Sequence, residues 1–213
     1  MSSVADLRED YTRNTLERSQ LLEDPIAQFG NWLQQAIADD LPEPNAVVVA
    51  TVDKAGSPNA RVVLLKAYDE RGFVFYTNYD STKGQELDAN PEAAMVFNWL
   101  QHERQVRIRG SVERISRAET AAYFHSRPKG SQLGAWASPQ SQVIPDRVGL
   151  EQRKAQLEAT YAEDAEVPVP DHWGGYRVCA TSIEFWQGRS SRLHDRFRFR
   201  KTGKGWAIDR LAP

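Results

Sequence analysis

The sequence has little cysteine and no long apolar run, and each shortage excludes a class of protein. Cys179 is the only cysteine in 213 residues, so no disulfide can form within the chain and a reducing compartment is expected. No apolar stretch is long enough to span a bilayer, and the first residues lack the apolar segment of a secretory signal. The sequence therefore predicts a cytoplasmic protein without a membrane partner.

An excess of basic charge is also missing. The 27 lysines and arginines are balanced by 29 acidic residues, for a net charge of −2, which argues against general binding to nucleic acid. The usual phosphate and dinucleotide loops, GxGxxG and the Walker motif, are absent, as are HExxH and CxxC. With four histidines and one cysteine, no metal site is expected.

The apolar pattern predicts a mainly antiparallel β protein with peripheral helices. Short β-branched segments joined by turns indicate a barrel or roll, because the helices are inserted and do not alternate with the strands. Residues 1–23 are polar and predict a mobile arm, and residues 24–213 predict a single domain. Strands are predicted at 46–52, 61–68, 73–77, 93–100, 105–115, 176–186, 192–200 and 206–211, helices at 25–39, 81–89, 116–126 and 146–162, and a loop-rich region at 129–145.

Two groups of cations near strand and helix ends are candidates for anion binding. Arg61 and Lys66 bracket an apolar segment, and their odd separation would put them on opposite faces of a regular strand. Lys83 lies in a segment with Ser81 and Thr82 at a predicted helix start, where hydroxyls, backbone N–H groups and a cation suit a phosphate. Solvated strand ends and a capped surface helix would show the same pattern.

Two further groups lie later in the chain. Tyr123 and Arg127 are four residues apart on a predicted helix, with Ser131 following, and a packed tyrosine beside a solvated helix end is the alternative. In a strand over 192–200, Arg192, His194, Arg196, Arg198 and Arg200 would share one face, while Leu193, Phe197 and Phe199 would share the other; an edge strand or a nucleic-acid stripe would also look like this. The residues alone thus indicate a β-rich domain with several places for phosphorylated ligands.

Ten short segments of the sequence form a specific pattern. They are RVVLLK (61–66), FYTN (75–78), ERQVRIRG (103–110), YFHSRP (123–128), SQLGAW (131–136), QS (140–141), HWGG (172–175), IEFWQG (183–188), RLHDRF (192–197) and WAIDRLAP (206–213). Each segment is a weak signal, but their order and spacing together are specific. With them, the chain from about Leu7 to Pro213 resembles the pyridoxine 5′-phosphate oxidase family.

The resemblance implies an FMN-binding split β-barrel, an antiparallel roll with Greek-key-like connections. It also implies a homodimer with FMN at the subunit interface, and oxidation of pyridoxine or pyridoxamine 5′-phosphate by O₂. The products would be pyridoxal 5′-phosphate and H₂O₂, with NH₃ from the amine.

The resemblance also implies a role for individual residues. Arg192 and His194 would be catalytic. Thr82 stands where the family often has arginine, so one positive charge near the flavin phosphate would be missing. The implied FMN ligands are Arg61, Val62, Val63, Leu64, Leu65, Lys66, Tyr76, Thr77, Thr82, Lys83, Gln105, Gln140, Ser141, Trp186 and Arg196, and the implied substrate ligands are Lys66, Tyr123, Arg127, Ser131, Arg192, Leu193, His194, Arg8 and Tyr11.

Two alternatives remain within the same fold. One is a different split-barrel oxidoreductase that uses flavin or deazaflavin. The other is a pyridoxal-phosphate or flavin-binding protein without turnover. The sets around Tyr123 and Arg192 favour the oxidase over both.

Overall fold

The structure, a computed structural model, describes residues 3–7, 9–162 and 164–213. In that part of the chain, nine strands form one antiparallel sheet and five α-helices lie around it. The strands are β1 (Ala46–Val52), β2 (Pro58–Leu64), β3 (Ala67–Asp69), β4 (Gly72–Asn78), β5 (Glu92–Trp99), β6 (Arg104–Arg114), β7 (Trp173–Gln187), β8 (Asp195–Thr202) and β9 (Gly205–Leu211), and the helices are α1 (Pro25–Ala38), α2 (Thr82–Ala89), α3 (Arg117–Ser126), α4 (Lys129–Ala137) and α5 (Val148–Thr160).

The sheet divides at its longest strand. The strand order is β2-β1-β5-β6-β7-β4-β3, and β6 pairs along nearly the whole of β7. On its other edge, β7 pairs with β4 through residues 173–178 and with β8 through residues 182–187. One edge of β7 therefore pairs with two different strands, and the sheet divides there. The predicted antiparallel split barrel is confirmed.

A cluster of aromatic rings fills the barrel and fixes α1 against it. Phe29 is fully buried, and its ring centroid lies 5.0 Å from that of Phe73 and 4.9 Å from that of Phe97. The helix starts as predicted, because the Asp24 side chain accepts a hydrogen bond of 2.9 Å from the Ile26 N–H and Pro25 occupies the first helical position. None of the helices in the described ranges has the length and apolar character needed to cross a bilayer.

The strand predicted at 61–68 is wrong, since two strands replace it. β2 begins at Pro58 and ends at Leu64. The Leu65 N–H then donates to the Asn45 carbonyl over 2.9 Å, and the Lys66 N–H donates to the Val74 carbonyl over 2.8 Å. The backbone thus leaves the side of β1 and continues beside β4, so the face alternation expected from a regular strand ends before Lys66.

Two other predicted elements also differ. The loop-rich region contains α4, whose Leu133 and Ala137 are 2% exposed. Its glycines and the nearby prolines are typical of a loop, so the sequence did not predict this helix, which tertiary packing stabilises. The last arginine-rich strand begins only at Asp195, because Ser191 and Arg192 have φ of 56° and 60° and form a short turn. Arg192 and His194 therefore lie before the strand and do not share its arginine face.

The N-terminal arm contacts the barrel from Tyr11 to Leu21. Leu16 and Leu21 are 4% and 6% exposed and belong to the main core. The Leu16 N–H donates to Asp195 Oδ2 over 3.1 Å, which ties the arm to the start of β8. The mobility of residues 1–23 stays a prediction.

Candidate active site

A cavity of about 630 Å³ lies between β2, β4, α3 and α4. Its walls come from segments that are distant in sequence and that the barrel brings together. The cavity also includes Trp173, which lies in the segment HWGG and for which the sequence predicted no role. The predicted site residues on its walls are Arg61, Val62, Val63, Leu64, Lys66, Tyr76, Thr77, Lys83, Tyr123, Arg127, Ser131 and Gln140.

The break after β2 brings Arg61 and Lys66 to one cavity. In a regular strand these side chains would diverge, but the chain changes partners between them. Leu65, at the break, is 5% exposed, belongs to the barrel core and does not line the cavity. Lys66 is exposed and makes no side-chain hydrogen bond or ion pair with any residue that the structure describes. Its ammonium group is available to a ligand.

Lys83 is a buried cation with neutral partners. It is 8% exposed, and its Nζ donates to Thr77 Oγ1 at 3.1 Å, Gln140 Oε1 at 3.2 Å and Ser81 Oγ at 3.4 Å. Burial, followed by the charge of Arg61, lowers the pKa of Lys83 from its ordinary value. No carboxylate in the described chain forms an ion pair with it, so an anion would relieve this cost.

Arg61, in contrast, has a carboxylate of its own. Its Nη2 lies 3.0 Å from Oε2 of the buried Glu86, and its Nη1 donates to the Val49 carbonyl at 3.2 Å and to the Thr51 hydroxyl. Burial alone would raise the pKa of Glu86, but hydrogen bonds from Thr51 and Asn59 and the charge of Arg61 outweigh it and lower that pKa. The Arg61 guanidinium is thus oriented and partly neutralised within the chain.

An aromatic wall carries the second cation group. The predicted capping box of Ser116 and Glu119 starts α3, and the helix presents Tyr123 to the cavity. The Tyr123 ring stacks on Tyr76 with a centroid distance of 3.9 Å. Burial, and after it the neighbouring Tyr123, raises the pKa of Tyr76 to about 12. Burial also raises the pKa of Tyr123. Both phenols therefore stay protonated near neutral pH and can donate hydrogen bonds.

The remaining predicted residues are gathered mainly around Trp186 and do not line this cavity. Trp186 pairs with Gln105 across β6 and β7, and its ring centroid lies 4.6 Å from that of His194. Tyr11 from the N-terminal arm packs on both rings, at 5.8 Å and 5.9 Å. These residues form what we term the Trp186 group: Tyr11, Gln105, Trp186, Arg192, Leu193, His194 and Arg196.

His194 is held in one tautomer within this group. Its Nδ1 accepts a hydrogen bond of 3.1 Å from the Arg189 backbone N–H, so the proton of the neutral ring is on Nε2. Burial, followed by the charges of Arg192 and Arg196, lowers the pKa of His194. The imidazole is therefore neutral near pH 7 and presents Nε2–H as a donor.

The other side chains of the Trp186 group differ in how firmly they are held. Arg192 is exposed, and Leu193 is 70% exposed. Arg196 is anchored, since its Nε lies 2.9 Å from Glu184 Oε1 and its Nη1 donates to the Ala212 carbonyl at 2.9 Å. Arg192 and Leu193 therefore present free surface beside His194.

Two predicted site residues lie elsewhere, and a third is outside the described residues. Thr82 is exposed and borders a separate depression with Asp53 and Asp88. Ser141 is exposed, with a φ of 70°, in the loop after α4. Arg8 lies outside the described residues. Their FMN and substrate roles stay predictions.

Two family models cover most of the sequence. Residues 33–161 match the model described as pyridoxamine 5′-phosphate oxidase, and residues 173–213 match the pyridoxine 5′-phosphate oxidase C-terminal dimerisation region. The chain belongs to the pyridoxamine 5′-phosphate oxidase family. The predicted resemblance is confirmed.

Full-length relatives support this assignment. The chain is 58% identical to the pyridoxine/pyridoxamine 5′-phosphate oxidase of Thermosynechococcus vestitus, with 100% of both chains covered. It is 56% identical to the protein of that name from Bordetella petrii, over 99% of this chain and 100% of the relative. Among solved structures, PhzG from Burkholderia lata, in complex with tetrahydrophenazine-1-carboxylic acid, has a TM-score of 0.88 and 29% identity, over 94% of this chain and 98% of PhzG.

The family match also shows which region of the chain carries most of the Trp186 group. Trp186, Arg192, His194 and Arg196 all lie within residues 173–213, the part that matches the dimerisation region. The residues of the cavity between β2, β4, α3 and α4, apart from Trp173, precede this region. The family's dimerisation region thus carries the predicted catalytic pair.

Proposed function

We propose that this chain is an FMN-dependent oxidase that converts pyridoxine 5′-phosphate or pyridoxamine 5′-phosphate to pyridoxal 5′-phosphate. O₂ takes up the two electrons and leaves as H₂O₂, and the amine substrate also consumes water and releases NH₃. The observation that carries the proposal is one cavity with a buried cation, Lys83, and a half-buried one, Arg127. Neither forms an ion pair with a carboxylate in the described chain. Such cations suit the phosphates of a flavin nucleotide and of a vitamin.

The cavity fits FMN by its donors and its size. Lys83 has only neutral oxygen partners, and Arg61 is oriented by Glu86 at the same wall. About 630 Å³ lies within the usual range for a cofactor site. Bound FMN would supply the two-electron chemistry, taking electrons from the substrate and passing them to O₂. Residues Arg61 to Lys66 except Leu65, with Tyr76, Thr77, Lys83 and Gln140, would hold it in this subunit.

The substrate phosphate would bind at the aromatic wall. Arg127 and Lys66 supply charge, and Tyr123 and Ser131 supply hydroxyl donors. The phosphate does not react, so its binding energy can orient the pyridine ring toward the flavin. This accounts for four donors directed at a group remote from the oxidised carbon.

Arg192 and His194 would cover the substrate ring. His194 is a neutral donor whose orientation is fixed through Nδ1, and it can position the substrate or move a proton. Arg192 can stabilise negative charge that develops on the ring. Because both residues lie in the region that matches the family's dimerisation model, we propose that they reach the cavity of the partner subunit in a homodimer. The lone cysteine is consistent with a cytoplasmic enzyme.

The visible spectrum of the purified protein under anaerobic conditions tests this function. Flavin absorbance that pyridoxine 5′-phosphate bleaches, and that O₂ restores with stoichiometric H₂O₂, is the expected result. A flavin that the vitamin phosphates fail to bleach would identify another split-barrel oxidoreductase. Bound ligand without peroxide would identify a carrier and contradict the oxidase.

A further inference from the structure

The indole of Trp173 supports the Arg127 guanidinium. Arg127 Cζ lies 4.6 Å from the ring centroid of Trp173 and 5.7 Å from that of Phe124. Trp173 is 6% exposed and lines the same cavity as Arg127. This distance is within the range of a cation–π interaction, which is strongest with tryptophan.

Arg127 is half-buried, and its guanidinium lacks the hydrogen-bond or ion-pair partners that the other buried and half-buried arginines of the described chain have. Arg104, which also lies over an indole, donates to Gln187 and Gln35. Arg61 pairs with Glu86 at 3.0 Å, Arg196 pairs with Glu184 at 2.8 Å, and Arg177 pairs with Glu113 and Glu119. Arg127 forms no ion pair in the described ranges, and its Nη1 is buried without a hydrogen-bond partner. Burial also lowers its pKa. Arg177 Nε and Arg198 Nε are also buried without a hydrogen-bond partner, but those guanidinium groups are paired with carboxylates. The charge of Arg127 has no such partner, so an anionic ligand would stabilise it.

We propose that Trp173 is a positioning residue for Arg127 in binding the substrate phosphate, an inference that rests on the proposed function. A carboxylate in this place would orient the guanidinium but would also compete with the phosphate for it. An aromatic face orients the cation and leaves its N–H donors free. Trp173 thereby does for Arg127 what Glu86 does for Arg61, without neutralising the charge.

Trp173 is itself held on several sides. Its ring stacks on Tyr76 at a centroid distance of 5.4 Å and an interplanar angle of 13°. Its backbone N–H donates to the Pro170 carbonyl at 3.1 Å, and its carbonyl accepts from Arg117 Nη1 at 3.1 Å. Because the first residue of β7 is fixed in this way, the indole can act as a rigid support.

Steady-state kinetics with pyridoxine 5′-phosphate test the inference. Trp173→Leu should raise KM about tenfold, as expected when a partly desolvated cation–π contact is lost. Trp173→Phe should retain most of the affinity for the substrate. In both variants, kcat and flavin content should stay close to the wild-type values. The matched control is Trp136→Leu, which removes an indole on α4 whose Nε1 donates to the Pro168 carbonyl, outside the cavity; its KM should not change.

A double-mutant cycle separates positioning from packing. In an Arg127→Ala background, neither Trp173→Leu nor Trp173→Phe should raise KM further, since there is no guanidinium left to hold. An unchanged KM in Trp173→Leu, or an equal rise with and without Arg127, would overturn the inference. If Trp173→Leu does not fold, the cycle with Trp173→Phe tests the inference. Trp173→Phe should then raise KM about two- to threefold when Arg127 is present, and not when Arg127 is replaced.

An experiment with inorganic phosphate distinguishes failure of the inference about Trp173 from failure of the proposed function. If the wild-type protein does not oxidise pyridoxine 5′-phosphate, the proposed function fails. The inference then stands on binding alone: phosphate should raise the melting temperature of the wild-type protein more than that of Trp173→Leu. Equal stabilisation of both proteins would overturn it.

Discussion

Lys83 Nζ lies 3.2 Å from Oε1 of Gln140, although the two residues are 57 positions apart. Thr77 Oγ1 donates to the same oxygen at 2.9 Å. Three elements, β4, α2 and the loop after α4, therefore meet at one ammonium group. Because all of these partners are neutral, the charge of Lys83 is left for an anionic ligand.

Replacing Lys83 by methionine should stabilise the flavin-free protein and weaken flavin binding. The buried charge of Lys83 is costly, so its loss should raise the melting temperature of the flavin-free protein by about 2–4 °C. The loss of its contacts with the flavin phosphate should weaken FMN binding about ten- to a hundredfold. Because the pKa of Lys83 is lowered, the stability difference should narrow as the pH rises through that pKa and the wild-type lysine loses its charge. Calorimetry and flavin titration measure both effects. Lys54→Met, in an exposed turn, is the control, and a lower melting temperature for Lys83→Met would contradict the prediction.

Replacing Glu86 by glutamine should destabilise the protein by about 1–3 kcal/mol at neutral pH, because the charge-assisted bond to Arg61 is lost. The pKa of the Glu86 carboxyl is lowered in the folded protein, so its contribution is present above its ordinary value of 4.5 and disappears as the pH falls through the folded value. Urea unfolding of both proteins between pH 7 and pH 3 should show the difference shrinking with acid. Glu92→Gln, at an exposed carboxyl, should show no such difference, and a pH-independent gap for Glu86→Gln would refute the argument.

Replacing Arg192 by alanine should raise the pKa of His194. The positive charge of Arg192 is the second cause of the lowered value, after burial, so its removal makes protonation of the imidazole easier. NMR titration of the ring protons should show the midpoint moving upward. Replacing Arg198, whose Nη2 pairs with Asp209 at 3.0 Å, should leave the titration midpoint of His194 unchanged. A midpoint that is unchanged or lower in Arg192→Ala would show that the two groups do not interact.

Mixing two impaired variants, assayed at a substrate concentration far below the KM of Arg127→Ala, tests the shared site. Arg127→Ala removes a cavity cation, and His194→Ala removes a member of the Trp186 group. If each site combines these groups from two subunits, random exchange should restore about a quarter of wild-type activity, because half of the dimers then contain one intact site. Activity assays after refolding the mixture measure this. Mixed dimers without activity would place both residues in a single subunit's site.

Periodicity and end signals in the sequence predicted much of the fold. Asp24-Pro25 and Ser116 with Glu119 start α1 and α3 as expected, because capping depends on residues within one turn. Alternating β-branched residues located most strands. The residues also indicated phosphate-binding cations, and the family resemblance extended that set; the cavity contains Arg61, Lys66, Lys83 and Arg127 from it.

Tertiary structure alone decided the features that depend on contacts between distant segments. The exchange of partners at Leu65 depends on where Asn45 and Val74 lie, and the helix α4 depends on packing of Leu133 against a separate apolar cluster. Whether a cation is neutralised also depends on the fold: Arg61 has Glu86 beside it, whereas Arg127 has the face of Trp173. A single chain's sequence specifies local backbone preference and the inventory of charges, but ion pairing depends on distances of a few ångströms that only packing sets.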